Sequence, residues 1–504
     1  MKTYQPKKFM PQAAKKISAK ALGLPLLMAM CLAVPARSQV DATVIVDFGR
    51  TVPVKNQVGF LHGAKAGSPP DSLIRNLRPA LIRDGDLRNY GLAKTLGAHF
   101  QFVLSDTWGY APDKMPYTDW TAWEAHVRKV AQSTKGLDIS WDIWNEPVEG
   151  GFWPGTQAQY FETFQRSYAV IRQELGPEAR ISGPCIAVYR PQVIRDFLDY
   201  CLANKVEVNI LTWHELNYNV VITDIAKHLR DMRAEYLDNP AYAALKMKEI
   251  HINEIVAESD QYHPGEAVGW FDQLERGGAD LSARGCWKEN CGNNTLDGLL
   301  EPGTLSPRPT WWIDRFYAVG SGSRVADSST DERIAALASR QSGDSGRGQV
   351  LLGHLGRTSL PSPVTGKVTL QLTHLLADGD PEGTLSIRIN RIPNLEDAPG
   401  GTPVTVWEGE VPMTHGVAQV TLPDFRLHEA YQVSLGAAHG ILGFTTAQAA
   451  IRRGPSRLGT LATGKTSGHV TGFSPDGSRV ERKGSGKWQR RHAGAWFQAP
   501  SPDK

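Results

Sequence analysis

Past its leader the sequence has no run approaching the roughly 18 apolar residues that a membrane-spanning helix needs. It lacks the Cys-x-x-Cys or Cys/His spacing of a zinc site. It has no His-x-His or His/Asp cluster at the ends of its strand-like runs, and no glycine-rich loop after the first of them. These absences argue against a membrane span, a metal-dependent hydrolase and a nucleotide-binding open sheet, and no cofactor or metal is expected. Cysteine is scarce: Cys31 lies in the leader, which leaves Cys185, Cys201, Cys286 and Cys291. Four cysteines permit two disulfides in three connectivities, and Cys286 and Cys291 share one loop and could pair locally. Basic charge is scarce in the body. The chain holds 55 Lys/Arg, but seven precede Ser38 and eleven follow Ile451, against three acids in that tail. The body between is left with 37 basic and 49 acidic side chains, a net charge of −12. An acidic body argues against nucleic acid as a partner and suits a neutral or weakly charged one.

What is present begins with residues 1–38, which read as an export signal. Lys7, Lys8, Lys15, Lys16 and Lys20 form a basic region, residues 21–34 are apolar, and Ala36 and Ser38 supply small residues before a cleavage site at Gln39. The mature chain is expected to be periplasmic or secreted.

Between residues 42 and 320, apolar runs alternate with longer amphipathic stretches, the pattern of a parallel sheet covered by helices. Strands are predicted over 58–63, 80–84, 100–105, 137–145, 179–183, 206–213, 248–254 and 279–287. Eight in that length fit the size of a (β/α)8 TIM barrel, whose chemistry sits at the carboxyl ends of its strands. From 321 to 440 helical spacing gives way to seven short alternating runs, over 334–338, 349–353, 367–372, 384–390, 403–408, 417–422 and 430–435, which predict a β-sandwich. Residues 451–504, rich in Gly, Ser and Arg, read as a basic disordered tail.

Two glutamates close apolar strand-like runs: Glu146 in Asp142-Ile143-Trp144-Asn145-Glu146-Pro147, and Glu254 in Glu249-Ile250-His251-Ile252-Asn253-Glu254. A carboxylate in a hydrophobic strand costs free energy unless it faces a polar cavity. Two at the ends of buried parallel strands are what double-displacement sugar hydrolysis requires, one as acid/base and one as nucleophile. For those roles Glu146 must be protonated at rest and Glu254 ionised. Glu215 competes with Glu254 for the nucleophile role, and Glu258 does so more weakly. Arg83, ending the second strand beside Asp84, is placed to hold a nucleophile ionised by charge pairing. His214 is placed to donate a hydrogen bond to the nucleophile or the substrate. Asn145, beside the acid/base, suits a sugar hydroxyl next to the reacting carbon. Aromatics after several strands, among them Trp108, Trp153 and Trp287, suit the apolar faces of sugar rings.

Trp144-Asn145-Glu146-Pro147, followed by Phe152-Trp153, resembles the acid/base segment of the retaining clan A barrel glycoside hydrolases, and most of all family 39. Val58-Gly59-Phe60-Leu61-His62-Gly63 is similar to that family's opening strand. His251-Ile252-Asn253-Glu254 is similar to its nucleophile strand, and the segment from Gly277 to Trp287 to its last one. The resemblance covers about residues 55–320. It implies Glu146 as acid/base, Glu254 as nucleophile, and Asn145, His214 and Trp287 lining the site. It further implies an oligo- or polysaccharide substrate, a β-xyloside or a bacterial exopolysaccharide. The chain departs from family β-xylosidases at Val148-Glu149 after the proline, at Asp84-Gly85-Asp86 after Arg83, and at Glu215-Leu216 after His214. The alternative is a catalytically inactive carbohydrate-binding barrel, which has no need of the glutamate pair.

Overall fold

The computed structural model describes residues 41–52, 57–148, 150–216, 221–320, 323–341, 344–356, 366–376 and 380–436, with three short segments between 471 and 490. The first strand, β1 (Ala42–Val52), lies outside the barrel. The eight that follow are β2 (Val58–Leu61), β3 (Leu81–Asp84), β4 (His99–Val103), β5 (Ile139–Asp142), β6 (Arg180–Ile186), β7 (Ile210–His214), β8 (Glu249–Ile255) and β9 (Leu281–Arg284). They close in sequence order into a parallel barrel, with β9 returning to β2. These strands are apolar almost throughout because both faces are covered, one by the barrel interior and one by helices. β2 and β3 approach so closely that a Cβ on Gly59 would stand 1.8 Å from the Leu81 carbonyl oxygen, which restricts that position to glycine.

The helices are delimited by their caps. Trp120–Ser133 starts at Asp119, whose carboxylate accepts from the Ala122 N–H. Gln157–Leu175 opens with a capping box between Thr156 and Gln159. Pro191–Ala203 and Pro264–Gly277 carry proline in the first turn, where no amide donor is needed.

The second sheet continues with β10 (Arg324–Ser329), β11 (Ile334–Gln341), β12 (Asp344–His354), β13 (Val368–Thr373), β14 (Gly383–Ile392), β15 (Val404–Met413), β16 (Ala418–Leu422) and β17 (Ala430–Leu435). Its nine strands run in the order β15-β14-β17-β12-β11-β10-β1-β13-β16. The two halves face each other across one apolar core, with Val44, Val46, Phe48, Leu370 and Leu372 on one side and Leu385, Ile387, Ile389 and Val433 on the other. This is a sandwich. The barrel expected from residue 42 therefore begins at β2. Ala42, Val44, Val46 and Phe48 are buried while Thr43, Ile45 and Asp47 between them are more open, and period-two burial belongs to a sheet with one apolar core face. β10 was also absent from the expected strands, since Arg324-Val325-Ala326-Asp327 offers little apolar alternation.

β11 and β12 are covered on both faces. Ala336, Ala338, Val350 and Leu352 join the sandwich core, while Ala335, Leu337 and Leu351 join the barrel core. The helix Pro264–Gly277 seats on them so tightly that a Cβ on Gly353 would stand 2.3 Å from the Gly265 carbonyl oxygen.

Residues 444–504 form a separate unit. Their described residues pair as a three-stranded antiparallel sheet of β18 (Thr471–Phe473), β19 (Arg479–Glu481) and β20 (Gln489–Arg490). The featureless tail expected from 451 does not hold at these places, whose two- and three-residue runs are too short to show a period. The rest of that tail, and the export signal, lie outside the described residues. No helix among the described residues is long and apolar enough to cross a membrane.

Candidate active site

The carboxyl ends of five barrel strands deliver one connected group of polar side chains. Arg83, fully buried on β3, is its hub. It donates to Asp142 Oδ2 from Nε at 3.0 Å and from Nη2 at 2.7 Å, to Asn145 Oδ1 at 2.7 Å, and to Glu254 Oε1 from Nη1 at 2.7 Å. Burial disfavours its charge, but Cys185, Asp142 and Glu254 around it hold the guanidinium above its ordinary range. A buried arginine with two buried carboxylates is tenable because each charge meets a partner at hydrogen-bonding distance.

Glu146 reaches the group through strained backbone. Its φ is +48° and that of Val148 is +77°, left-handed values that side chains other than glycine rarely adopt. The Glu146 N–H donates to the carbonyl of Cys185 at 3.1 Å, and Cys185 itself has φ +60°. Such conformations persist where the surrounding structure over-determines them, and they recur at ligand and active sites. The Cys185 thiol donates to Asp142 Oδ2 at 3.0 Å, and its sulfur lies 3.2 Å from Asn253 Nδ2 and 3.3 Å from His214 Nε2. Burial raises this thiol well above its usual range, as does Asp142 beside it.

His214, fully buried, stands between the two glutamates. Its Nδ1 lies 3.1 Å from Glu146 Oε1 and 3.7 Å from Glu254 Oε1. One atom from each of these three residues falls within 4.8 Å of the other two. Such a trio has the donor set for a metal ion, but Arg83 already sets a positive charge 2.7 Å from Glu254. A second cation there would be repelled.

The protonation pattern differs from the one expected of the pair. Burial raises Glu254, and His214 and Arg83 offset this only in part. Burial also pushes Glu146 upward, yet the hydrogen bond and charge of His214, with Arg83, bring it below its usual value. The cause is the shorter approach of His214 to Glu146. With the Cys185 thiol hydrogen given to Asp142, sulfur is the acceptor facing His214 Nε2. A proton is therefore held on the line between His214 Nδ1 and Glu146.

The rivals for the nucleophile face elsewhere. Glu215 shares the strand face of Trp213, opposite to His214, as period two demands. Its Oε1 accepts from Trp213 Nε1 at 2.8 Å and meets His228 Nδ1 at 2.9 Å. Glu258 pairs with Lys288 at 2.6 Å. Trp287 is half-buried, its indole donating at 3.0 Å to the carbonyl of Val256, two residues past Glu254. Trp153 is a correction: it is 3% exposed, wedged against Trp144, Tyr117 and Tyr160, and cannot stack on a sugar. Trp108 packs edge-on against Trp123 and His126 of the outer helix, its N–H on the Lys114 carbonyl.

Sequence reasoning missed the supports. Asp142 and Cys185 carried no role, and Asn253 figured only as part of a motif. A second clamp was also missed. His62, from the end of β2, lies 3.3 Å from Asp84 and 3.2 Å from Asp106. Burial alone would lower its imidazole, but Asp106 and Asp84 raise it to about 10. Asp106 is held below its usual range against burial by His62 and by the Tyr110 hydroxyl. Ser105 bridges the two groups, accepting from the Asn145 N–H at 3.0 Å and meeting Tyr110 at 2.9 Å. Among the cysteines, Cys286 and Cys291 form a disulfide flanking Trp287, while Cys185 and Cys201 are free and buried.

Residues 109–260, which include both glutamates, match the family model Glycosyl hydrolases family 39. The segment that carries both glutamates is thus family 39-like in sequence, and it lies within the closed barrel. Heparanase of Mus musculus is 22% identical over 264 residues, 47% of this chain and 46% of that protein, so the match spans about half the relative's length. The solved structure of N2152 from Neocallimastix frontalis superposes with a TM-score of 0.64 at 20% identity, over 79% of this chain and all of that one. The α-L-arabinofuranosidase from Thermotoga maritima follows at a TM-score of 0.52 and 10% identity, over 78% of this chain and 99% of that one. At these identities the structures share the fold.

Proposed function

We propose that the protein is an exported retaining glycoside hydrolase acting on a β-xyloside or a bacterial exopolysaccharide. Glu254 attacks the anomeric carbon while Glu146 protonates the leaving oxygen. Glu146 then takes a proton from the water that breaks the glycosyl–enzyme bond, which frees Glu254. The observation that carries the reading is the approach of the two carboxylates, with His214, to within 4.8 Å. Retaining enzymes place the pair about 5–5.5 Å apart, and inverting ones leave roughly 6.5–9.5 Å for a water. Arg83 keeps its bond to Glu254 throughout, favouring the ionised nucleophile. Glu146 is the more exposed of the two, with 15% of its side chain open against 8% for Glu254. A bound sugar covers it, its burial grows, and the proton on the His214–Glu146 line passes to the carboxyl. Asn145, its carbonyl oxygen held by Arg83, turns its amide to a sugar hydroxyl.

The test is hydrolysis of a panel of aryl glycosides and bacterial exopolysaccharides, with product anomers followed by NMR. Retention at the anomeric carbon and restoration of Glu146→Ala by azide are the expected results. Inversion, or full activity in Glu254→Ala, overturns the mechanism. Binding without turnover on every substrate would favour a catalytically inactive carbohydrate-binding barrel. Export is tested by the amino terminus of the mature protein, expected at Gln39.

A further inference from the structure

A second group of imidazoles and a carboxylate lies where the helix Pro264–Gly277 meets the sandwich. His263 precedes the helix, Glu266 sits in its first turn, and His428 stands two residues before β17. One ligand atom from each lies within 4.8 Å of the other two. Glu266 is fully buried, yet only one of its oxygens is engaged. Oε1 accepts from the Gly356 N–H at 2.8 Å and meets His428 Nδ1 at 2.6 Å, while Oε2 has no hydrogen-bond partner. An orphaned buried carboxylate oxygen is costly, and such an atom calls for an occupant.

Oε2 faces His263 Nδ1 at 3.9 Å. That is too long for a hydrogen bond but suits two ligands on one ion, each about 2.0–2.2 Å from the metal. The other nitrogen of His263, Nε2, lies 3.1 Å from Glu396 Oε2. A carboxylate behind an imidazole fixes the tautomer and turns the remaining lone pair inward, the support that metal-bound histidines commonly have. The rings of His263 and His428 stack at 4.3 Å, held there because the Gly265 N–H donates to the His428 carbonyl at 2.8 Å. Among the described residues, the ion pairs of Glu266 are to these histidines and to no Lys or Arg. The helix amino terminus disfavours a cation, and the carboxylates of Glu266 and Glu396 outweigh it.

We propose that His263, Glu266 and His428 bind one divalent cation of the zinc type, tying the barrel to the sandwich. Two imidazoles with one carboxylate are a donor set zinc accepts. Binding releases the proton on His428 Nδ1, since ligation needs a free lone pair. The site shares no residue with the glutamate pair.

The test uses full-length, tag-free protein stripped with EDTA, given zinc chloride and freed of excess metal by gel filtration. Elemental analysis should find about one zinc per chain, and the thermal midpoint should rise with zinc. His263→Asn and His428→Asn should each lower the retained zinc at least roughly tenfold, and Glu396→Gln should weaken zinc affinity roughly 10–100-fold while the fold is kept. Glu254→Gln should leave retention unchanged. Should His428→Asn fail to fold by circular dichroism, His263→Asn and Glu396→Gln decide. No zinc on the wild type, retention undiminished in the histidine variants, or retention lost only in Glu254→Gln would overturn the proposal.

Discussion

The molecule builds nearly the same set of side chains twice, with opposite consequences. Glu146, His214 and Glu254 at the barrel mouth, and His263, Glu266 and His428 at the seam, are each three ligand-bearing residues within 4.8 Å. The difference is what stands beside them. At the barrel mouth Arg83 is bonded to Glu254, so the charge is already met and the remaining freedom is where a proton sits. At the seam no such cation pairs with Glu266 among the described residues, and one carboxylate oxygen is left over. Residue type sets the range of chemistry, and the nearest fixed charge selects from it.

The sharpest way to break that contrast is at the glutamates themselves. Glu254→Ala should lower kcat on an aryl glycoside about 10⁴-fold, and Glu146→Ala should do so by about 10²–10⁴-fold with recovery in azide. Substitutions at the seam should not do this. Next in size is Arg83→Met, which leaves Asp142 and Glu254 as buried carboxylates without the guanidinium that pairs them. It should cost about 3–5 kcal/mol in urea unfolding, and an unchanged midpoint would show that Arg83 is not the hub.

A smaller effect is expected at His214. Removing the group that holds Glu146 down lets burial raise it, so in His214→Ala the basic limb of the kcat/KM profile should move to higher pH, by about one unit. A shift to lower pH would contradict the proton placement. The smallest concerns His62. Its pKa is raised from 6.5 to about 10, so its stabilisation is complete below pH 6.5 and lost as pH rises through 10. Solvent reaches His62 and Asp106 and screens most of that shift, so His62→Gln should be less stable than the parent by about 1 kcal/mol near pH 6, with the two converging above pH 10. A difference that grows with pH would be the wrong sign.

Much of this frame was legible because it rests on periodicity. All eight barrel strands, and the seven expected in the sandwich, fall where apolar runs or alternation placed them. Glu146 was legible from its neighbours and from Pro147 after it. The choice between Glu215 and Glu254 was not, because it turns on a shift in register between β7 and β8 that sets Glu254 beside His214. Cys185 gave no sign at all. Its sulfur enters the site only through a left-handed turn that meets Asp142, 43 residues earlier in the chain. Trp153 misled for the opposite reason: position after a strand suggested a platform, and burial made it core.

The place of β1 bears on how the chain can be cut and when it can finish folding. Its neighbours are Arg324–Ser329 and Val368–Thr373, so the whole barrel is spelled out before either exists. Until then Val44, Val46 and Phe48 have nothing to cover them. An expression fragment ending near residue 320 would carry that apolar edge exposed, an invitation to intermolecular pairing. In the intact protein the earliest of the described strands is among the last to find its place.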